Sequence, residues 1–199
     1  MVFSFLSFAV AVPSAVKTFN WTATLYQGAI WWKAPMFFVF GFIGLFLIGG
    51  LTGLFLASVG LDVHLHDTYF VVAHFHYVLV TGAIYALIAG TYFWLPKWTG
   101  HMYDEKLGKL HFWLSIIFFN VTFFVQHFAG LAGMPRRIPD YPDAFSGWNY
   151  ISSIGSYIGF AAALLFVYIA IKTITSGERV GANYWGEGAT TLEWTVDSP

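Results

Sequence analysis

The sequence predicts an all-α protein, a polytopic transmembrane helix bundle of five spans, and three observations carry that prediction. Only 10% of the 199 residues are charged, against 58% hydrophobic and 21% aromatic, where a soluble domain carries about 25% charged residues. The few charges cluster, leaving four runs of 28, 29, 26 and 28 residues without Asp, Glu, Lys or Arg. Each run exceeds the ~20 apolar residues that cross a bilayer, where an isolated segment must satisfy its backbone as a helix.

The elements follow in order. Met1 to about Tyr26 is apolar and interrupted only at Lys17. Because Lys17 is also the first cation, this block lacks the charged start of a secretory signal and is expected to belong to the folded chain. The uncharged runs Ala34–Leu61, Thr68–Pro96, Leu110–Pro135 and Ala144–Ile171 supply the other four spans. Asp62 to Asp67 and the Pro-rich Pro135 to Pro142 read as tight turns at span ends. Gly49 with Gly53 and Gly155 with Gly159 form two GxxxG patterns that let helices approach closely. Residues 1–174 are thus assigned to the bundle. Residues 175–199 are assigned to a polar C-terminal extension, short of apolar periodicity and expected to lie along partner chains.

Five spans place the two termini on opposite faces. Lys33, Lys97, Lys106, Lys109, Lys172 and Arg179 then share one face, and Arg136 and Arg137 the other. The positive-inside rule makes the lysine-rich face the inner one, cytoplasmic or matrix-side. The expected location is therefore integral to a membrane, with lipid as a neighbour. A net charge of −1 removes the basic surface that nucleic acid would require. The absence of cysteine excludes disulfides, thiolate metal sites and cysteine nucleophiles, so any metal must be held by His, carboxylates or other oxygens.

The chemistry concentrates in Leu65–His76. A helix turns ~100° and rises ~1.5 Å per residue, so His74 and His76 project ~200° apart at nearly one depth. One metal cannot take both. The helix offers one imidazole to each of two neighbouring sites, and neutral imidazole is the usual axial ligand of haem iron, although each could instead hydrogen-bond to an adjacent helix. His66 and Asp67 lie roughly 12 Å outward of His74. They suit either a hard ion such as Mg²⁺ or Mn²⁺, or a helix cap from Asp67 with His66 in water. Arg136 and Arg137 share that face and suit anionic carboxylates or headgroup anchoring. Lys17, four residues after Pro13, is the only cation inside a span and either snorkels inward or serves a proton route with Ser14 and Thr18. His64, His101, His111 and His127 carry no arguable ligand role.

These residues resemble subunit I of the haem–copper terminal oxidases, most closely the aa3-type cytochrome c oxidases. The likeness covers nearly the whole chain through Leu65–Tyr77 (LHDTYFVVAHFHY), Gln126–Arg137 (QHFAGLAGMPRR), Asp140–Ala144 (DYPDA), Pro13–Trp21 (PSAVKTFNW) and Thr191–Trp194 (TLEW). Quinol-oxidising relatives differ around HDTY and DYPDA, which favours the cytochrome c branch. The resemblance implies that His74 binds the iron of the high-spin haem a3 and His76 one side of the iron of the low-spin haem a. It further implies that His66 and Asp67 contribute to a Mg²⁺ (or Mn²⁺) site, that Asp62, Arg136 and Arg137 meet propionates or nearby water, and that Lys17 and Ser14 lie on a proton pathway. In family terms the chain corresponds to the last five of twelve helices. The copper B ligands, the cross-linked tyrosine and the second haem a ligand all fall upstream of Met1. Copper B is therefore expected in the complex but not on this chain.

The implied activity is reduction of oxygen to water with electrons from cytochrome c, coupled to proton translocation in a bacterial or mitochondrial inner membrane. Its implied partners are the N-terminal portion of subunit I, absent through a split or a truncated subunit, and other oxidase subunits, notably the copper A subunit. Val125 replaces a proline common before QHF, and Ser14 a common threonine. The residues alone also admit a membrane haem-binding electron-transfer module without oxygen chemistry, or a nonredox scaffold or ion carrier using His66 and Asp67.

Overall fold

A computed structural model describes residues 1–197. Five helical segments are long and apolar enough to cross a membrane: Val2–Leu25, Ala34–Ala57, Tyr69–Thr99, Glu105–Leu131 and Asp143–Ser176. They are the five spans expected, in the expected order, and the chain is an integral membrane protein. The second uncharged run ends its span at Ala57 and continues as a separate short helix, Val59–Leu65. The fifth continues to Ser176.

Two spans depart from regular α-helix. The third is α from Tyr69 to Leu79, π from Val80 to Tyr85 and α from Ala86 to Thr99. The fourth is α over Glu105–Phe119, π over Asn120–Phe124 and α over Val125–Leu131. A π turn inserts one residue per turn and re-aims every side chain beyond it, and such turns concentrate at functional sites.

Spans two to five enclose an aromatic core. Phe38, Tyr77, Tyr85, Tyr92 and Phe119 are each 0–1% exposed. Phe38 sits at the centre, with ring centroids 5.6 Å from Tyr85, 5.2 Å from His111 and 5.3 Å from Phe112. In lipid, such packing is a larger share of helix association than apolar burial, because the solvent is itself apolar. Both GxxxG patterns are used in this packing. A Cβ on Gly155 would lie 2.3 Å from Thr122 Oγ1, and one on Gly49 would lie 2.9 Å from the Tyr77 backbone. The first span contributes no buried residue. It leans on the second through Trp21, 4.7 Å from Phe42, and through a Ser4 hydroxyl donated to the Ala57 carbonyl.

The inner face is closed by the polar extension. His101–Met102 pairs antiparallel with Glu178–Arg179. Trp185 stacks on Phe93 at 5.2 Å, with Trp194 edge-on at 5.4 Å. Lys97, 7% exposed, donates its ammonium to the carbonyls of Ala182 and Val196. The structure lays part of this extension on the chain's own third span. Asp104 caps the fourth span through the amides of Lys106 and Leu107 and accepts from Lys172 at 2.9 Å. The Lys172 ammonium, then the Leu107 amide, hold the Asp104 carboxyl below the usual carboxylate range.

Candidate functional site

The site is built on the outer half of the third span. Thr68, not Asp67, is the N-cap: its hydroxyl accepts from the Phe70 amide at 3.2 Å and donates to the Leu65 carbonyl at 2.7 Å. This removes the expected alternative in which Asp67 serves as the cap. Asp67 instead adopts a left-handed conformation, φ 56°, uncommon for a residue with a side chain. The strand-like register Thr68–Pro135 holds it there, with Tyr69 N–H on Met134 O at 3.0 Å and Arg136 N–H on Asp67 O at 2.9 Å. The turn that begins the third span is thereby welded to the one that ends the fourth.

That weld gathers the charges. Arg136 donates Nε and Nη2 to Asp67 Oδ1, each at 2.8 Å. The Arg136 hydrogen bonds are the chief reason the Asp67 carboxyl titrates below its usual range. Oδ2 of the same carboxylate lies 3.6 Å from His66 Nε2, and His66 Nδ1 lies 3.7 Å from Asp62 Oδ2. Arg137, φ 62°, is exposed beside them. Asp62, His66, Asp67 and Arg136 therefore form one outer cluster, with Arg137 at its edge. Among the described residues no three His or carboxylate side chains are arranged as a closed metal cage. Two adjacent donors ~2.1 Å from a shared octahedral centre lie roughly 3 Å apart, so the His66–Asp67 pair, 3.6 Å apart, would have to close by about 0.6 Å to share a hard ion.

His74 and His76 face different spans. His74 Nδ1 lies 2.8 Å from the Gly49 carbonyl and 3.3 Å from Thr52 Oγ1, both on the second span. His76 Nδ1 lies 2.7 Å from the Val72 carbonyl of its own helix, and its ring stacks on Phe123 of the fourth span. A carbonyl can only accept, so each Nδ1 carries a proton, and in the neutral imidazole Nε2 keeps its lone pair. This is the arrangement of metal-ligating histidine, whose other nitrogen donates to a carbonyl or carboxylate.

His74 opens on a cavity of about 340 Å³ between the first and second spans, lined also by Ser7, Ser14, Gly50, Gly53 and Leu54. Gly53 is needed there, since a Cβ would lie 2.9 Å from His74 Cε1. Ser14 thus shares a cavity with His74. Lys17 is not among its lining residues; its ammonium lies over the Trp21 ring, one turn inward, 5.2 Å from the centroid. His111 and His127, silent in the sequence, are buried, and His111 Nδ1 shares a hydrogen bond with Tyr92 at 2.9 Å. Thr52 and Phe123 are contacts that sequence reasoning missed. Gly49 and Gly53 pointed to the second span, but nothing in the sequence singled out one phenylalanine among 22.

Comparison with known proteins places this geometry. Residues 1–158 match the family described as cytochrome c and quinol oxidase polypeptide I. The chain is 50% identical over 198 residues to cytochrome c oxidase subunit 1 of Cereibacter sphaeroides, covering 99% of this chain and 35% of that one. It is 48% identical over 213 residues to cytochrome c oxidase subunit 1 of Yarrowia lipolytica, covering 99% and 40%. The chain thus spans little more than a third of the length of these curated relatives. A cryo-EM structure of a heme-copper terminal oxidase dimer shares the fold, with TM-score 0.75 over 98% of this chain and 42% of that one at 19% identity. Five apolar spans, a paired-imidazole helix and a family match over most of the chain have one meaning: the chain belongs to the cytochrome c and quinol oxidase polypeptide I family.

Proposed function

We propose that the chain supplies the shared helix between the two haems of an aa3-type cytochrome c oxidase, acting with the rest of subunit I. The observation that carries this reading is the divergence of His74 and His76. Two imidazoles two residues apart each commit Nδ1 to a backbone carbonyl, and the rings lie against different neighbouring spans, His74 on the second and His76 on the fourth. When bound, haem supplies reversible one-electron redox chemistry and, where a coordination position stays open, the reduction of oxygen. His74 would hold haem a3 against the 340 Å³ cavity, and His76 would hold haem a.

The chain's own residues do the rest. The Gly49 and Val72 carbonyls fix the tautomer of each ligand. Arg136 and Arg137, with Asp62 beside them, lie where haem propionates would meet the outer face. Arg136 can receive one only while sharing its guanidinium with Asp67. Asp67 and His66 would offer two donors to Mg²⁺ or Mn²⁺, the remaining positions falling to water. Lys17 would deliver protons from the inner side toward the Ser14 hydroxyl, which borders the His74 cavity. Copper B, cytochrome c, the copper A subunit and coupled proton translocation belong to the assembled complex in a bacterial or mitochondrial inner membrane.

The test is an optical spectrum and oxygen uptake on the complex purified through this chain. Two spectrally distinct haems, one of which binds carbon monoxide, with oxygen consumed at the expense of reduced cytochrome c, support the reading. Haem without copper or carbon monoxide binding would assign an electron-transfer module, and a colourless complex a nonredox one.

A further inference from the structure

Phe123 has no part in the ligand, ion or proton roles described above, yet it makes the closest aromatic contact among the described residues. Its ring lies 4.0 Å from the His76 imidazole with planes 15° apart. Phe75, next in sequence to the histidine, is a poorer match at 4.6 Å and 30°. No aromatic ring stacks on His74 among the described residues; that imidazole is held by the Gly49 carbonyl and Thr52 instead. Both histidines are held at Nδ1 by a carbonyl, but among the described residues only His76 also has an aromatic ring stacked on its face.

The fold fixes the stack rather than leaving it to a free rotamer. Phe123 comes from the π turn Asn120–Phe124. Asn120 donates to the Ile116 carbonyl at 2.8 Å and accepts from the Tyr77 hydroxyl at 2.7 Å. Tyr77 directly follows His76, so the turn bearing Phe123 is tied to the residue beside the histidine. Phe119 completes the brace, 4.8 Å from Tyr77 and 5.0 Å from Phe123. The hydrogen bond from Nδ1 to the Val72 carbonyl holds one edge of the imidazole but leaves the ring free to tilt about that contact. A parallel aromatic face removes the tilt. With Nδ1 engaged and one face covered, Nε2 lies in a plane set by Phe123.

We propose that Phe123 is a positioning residue that fixes the plane of the His76 imidazole, and with it the orientation that this ligand would present to the low-spin haem. The proposal rests on the reading of His76 as a haem ligand. The plane of an axial imidazole relative to the macrocycle splits the iron d orbitals, so its orientation is recorded in the g-anisotropy of the oxidised low-spin centre. A packing role alone needs only an apolar side chain of similar size.

The experiment is low-temperature electron paramagnetic resonance on the assembled oxidase complex carrying Phe123→Leu, Phe123→Met or Phe123→Tyr, with His76→Ala alongside. The expected result is a low-spin signal retained in Phe123→Leu and Phe123→Met but shifted and broadened, and restored to the parent position in Phe123→Tyr. Parent spectra in Phe123→Leu or Phe123→Met overturn the proposal. A shift in Phe123→Tyr as large as in Phe123→Leu overturns it too, by assigning the effect to size. If these variants do not assemble, the unsubstituted complex decides: Phe123 parallel to His76 with haem bound supports the proposal, and loss of that contact overturns it. A low-spin signal surviving in His76→Ala overturns the ligand reading itself. Its loss there beside an unchanged Phe123→Leu spectrum overturns Phe123 alone.

Discussion

Replacing Gly53 by alanine is expected to weaken the His74 site and leave the His76 site intact. The added Cβ would stand 2.9 Å from His74 Cε1, where ordinary contact begins at 3.4 Å, so the ring must retreat by about 0.5 Å against a steep repulsive wall. Gly49 lies one turn away on the same helix, so the retreat lengthens the 2.8 Å bond from Nδ1 to its carbonyl. Losing that bond removes about 1 kcal/mol, and a ligating atom displaced by about 0.5 Å reaches the tolerance of a productive site. Together these amount to roughly 1–2 kcal/mol, a factor of about 5–30 in an equilibrium. Alanine also favours the helix by about 0.5–1 kcal/mol, an effect isolated by Gly44→Ala, since Gly44 meets nothing within 4 Å. The assay is the fraction of haem that binds carbon monoxide after reduction, with the low-spin haem as internal reference. Gly53→Ala should lower that fraction when haem is limiting, while Gly44→Ala matches the parent. Full carbon monoxide binding in Gly53→Ala would refute the reasoning.

Three further outcomes follow from the inner face and the first span. Lys97→Met removes an ammonium bound by two tail carbonyls, and hydrogen bonds to a charged group contribute about 1.5–3 kcal/mol each. Trypsin should then cleave after Arg179 markedly faster than in the parent, and equal cleavage rates would show that the aromatic contacts of Trp185 and Trp194 hold the tail alone. Asp104 has a folded pKa below its ordinary 3.8, so its contribution is fully present above 3.8 and is lost as pH falls through the lower folded value. Asp104→Asn should flatten that acid limb in a thermal unfolding series from pH 5 downward, and an unchanged limb would count against the Lys172 contact. Lys17→Met should stall reduction of the carbon monoxide-binding haem in rapid-mixing experiments, and normal turnover would leave Lys17 as an interfacial cation beside Trp21.

The spans were legible because charge-free runs longer than a bilayer is thick leave the backbone no other solution. Their ends were less so, since an uncharged run does not mark where a helix stops: Ala34–Leu61 contains both a span and the start of a short outer helix. The divergence of His74 and His76 followed from helical geometry because the segment Tyr69–Leu79 is regular α-helix. The π turns were not legible. They lie inside uniformly apolar runs, and the Tyr77–Asn120 bond that accompanies one of them joins residues 43 positions apart. For the same reason the stack of Phe123 on His76, a contact between spans, had no local signature. The outer cluster was visible as a mixture of His, Asp and Arg in two loops. Its internal pairing depends on the bridge between Thr68 and Pro135, which sets Asp67 against Arg136 and passes the capping role to Thr68.

The central claim is that one helix serves two separate irons, and paired histidine replacements in the assembled complex test it most directly. Optical and paramagnetic resonance spectra would be recorded for His74→Ala and His76→Ala in complexes shown to retain all subunits. His76→Ala should lose the low-spin signal and keep a haem that binds carbon monoxide, and His74→Ala should do the reverse. Loss of both signals in either assembled variant, or both imidazoles found on a single metal, would contradict the account.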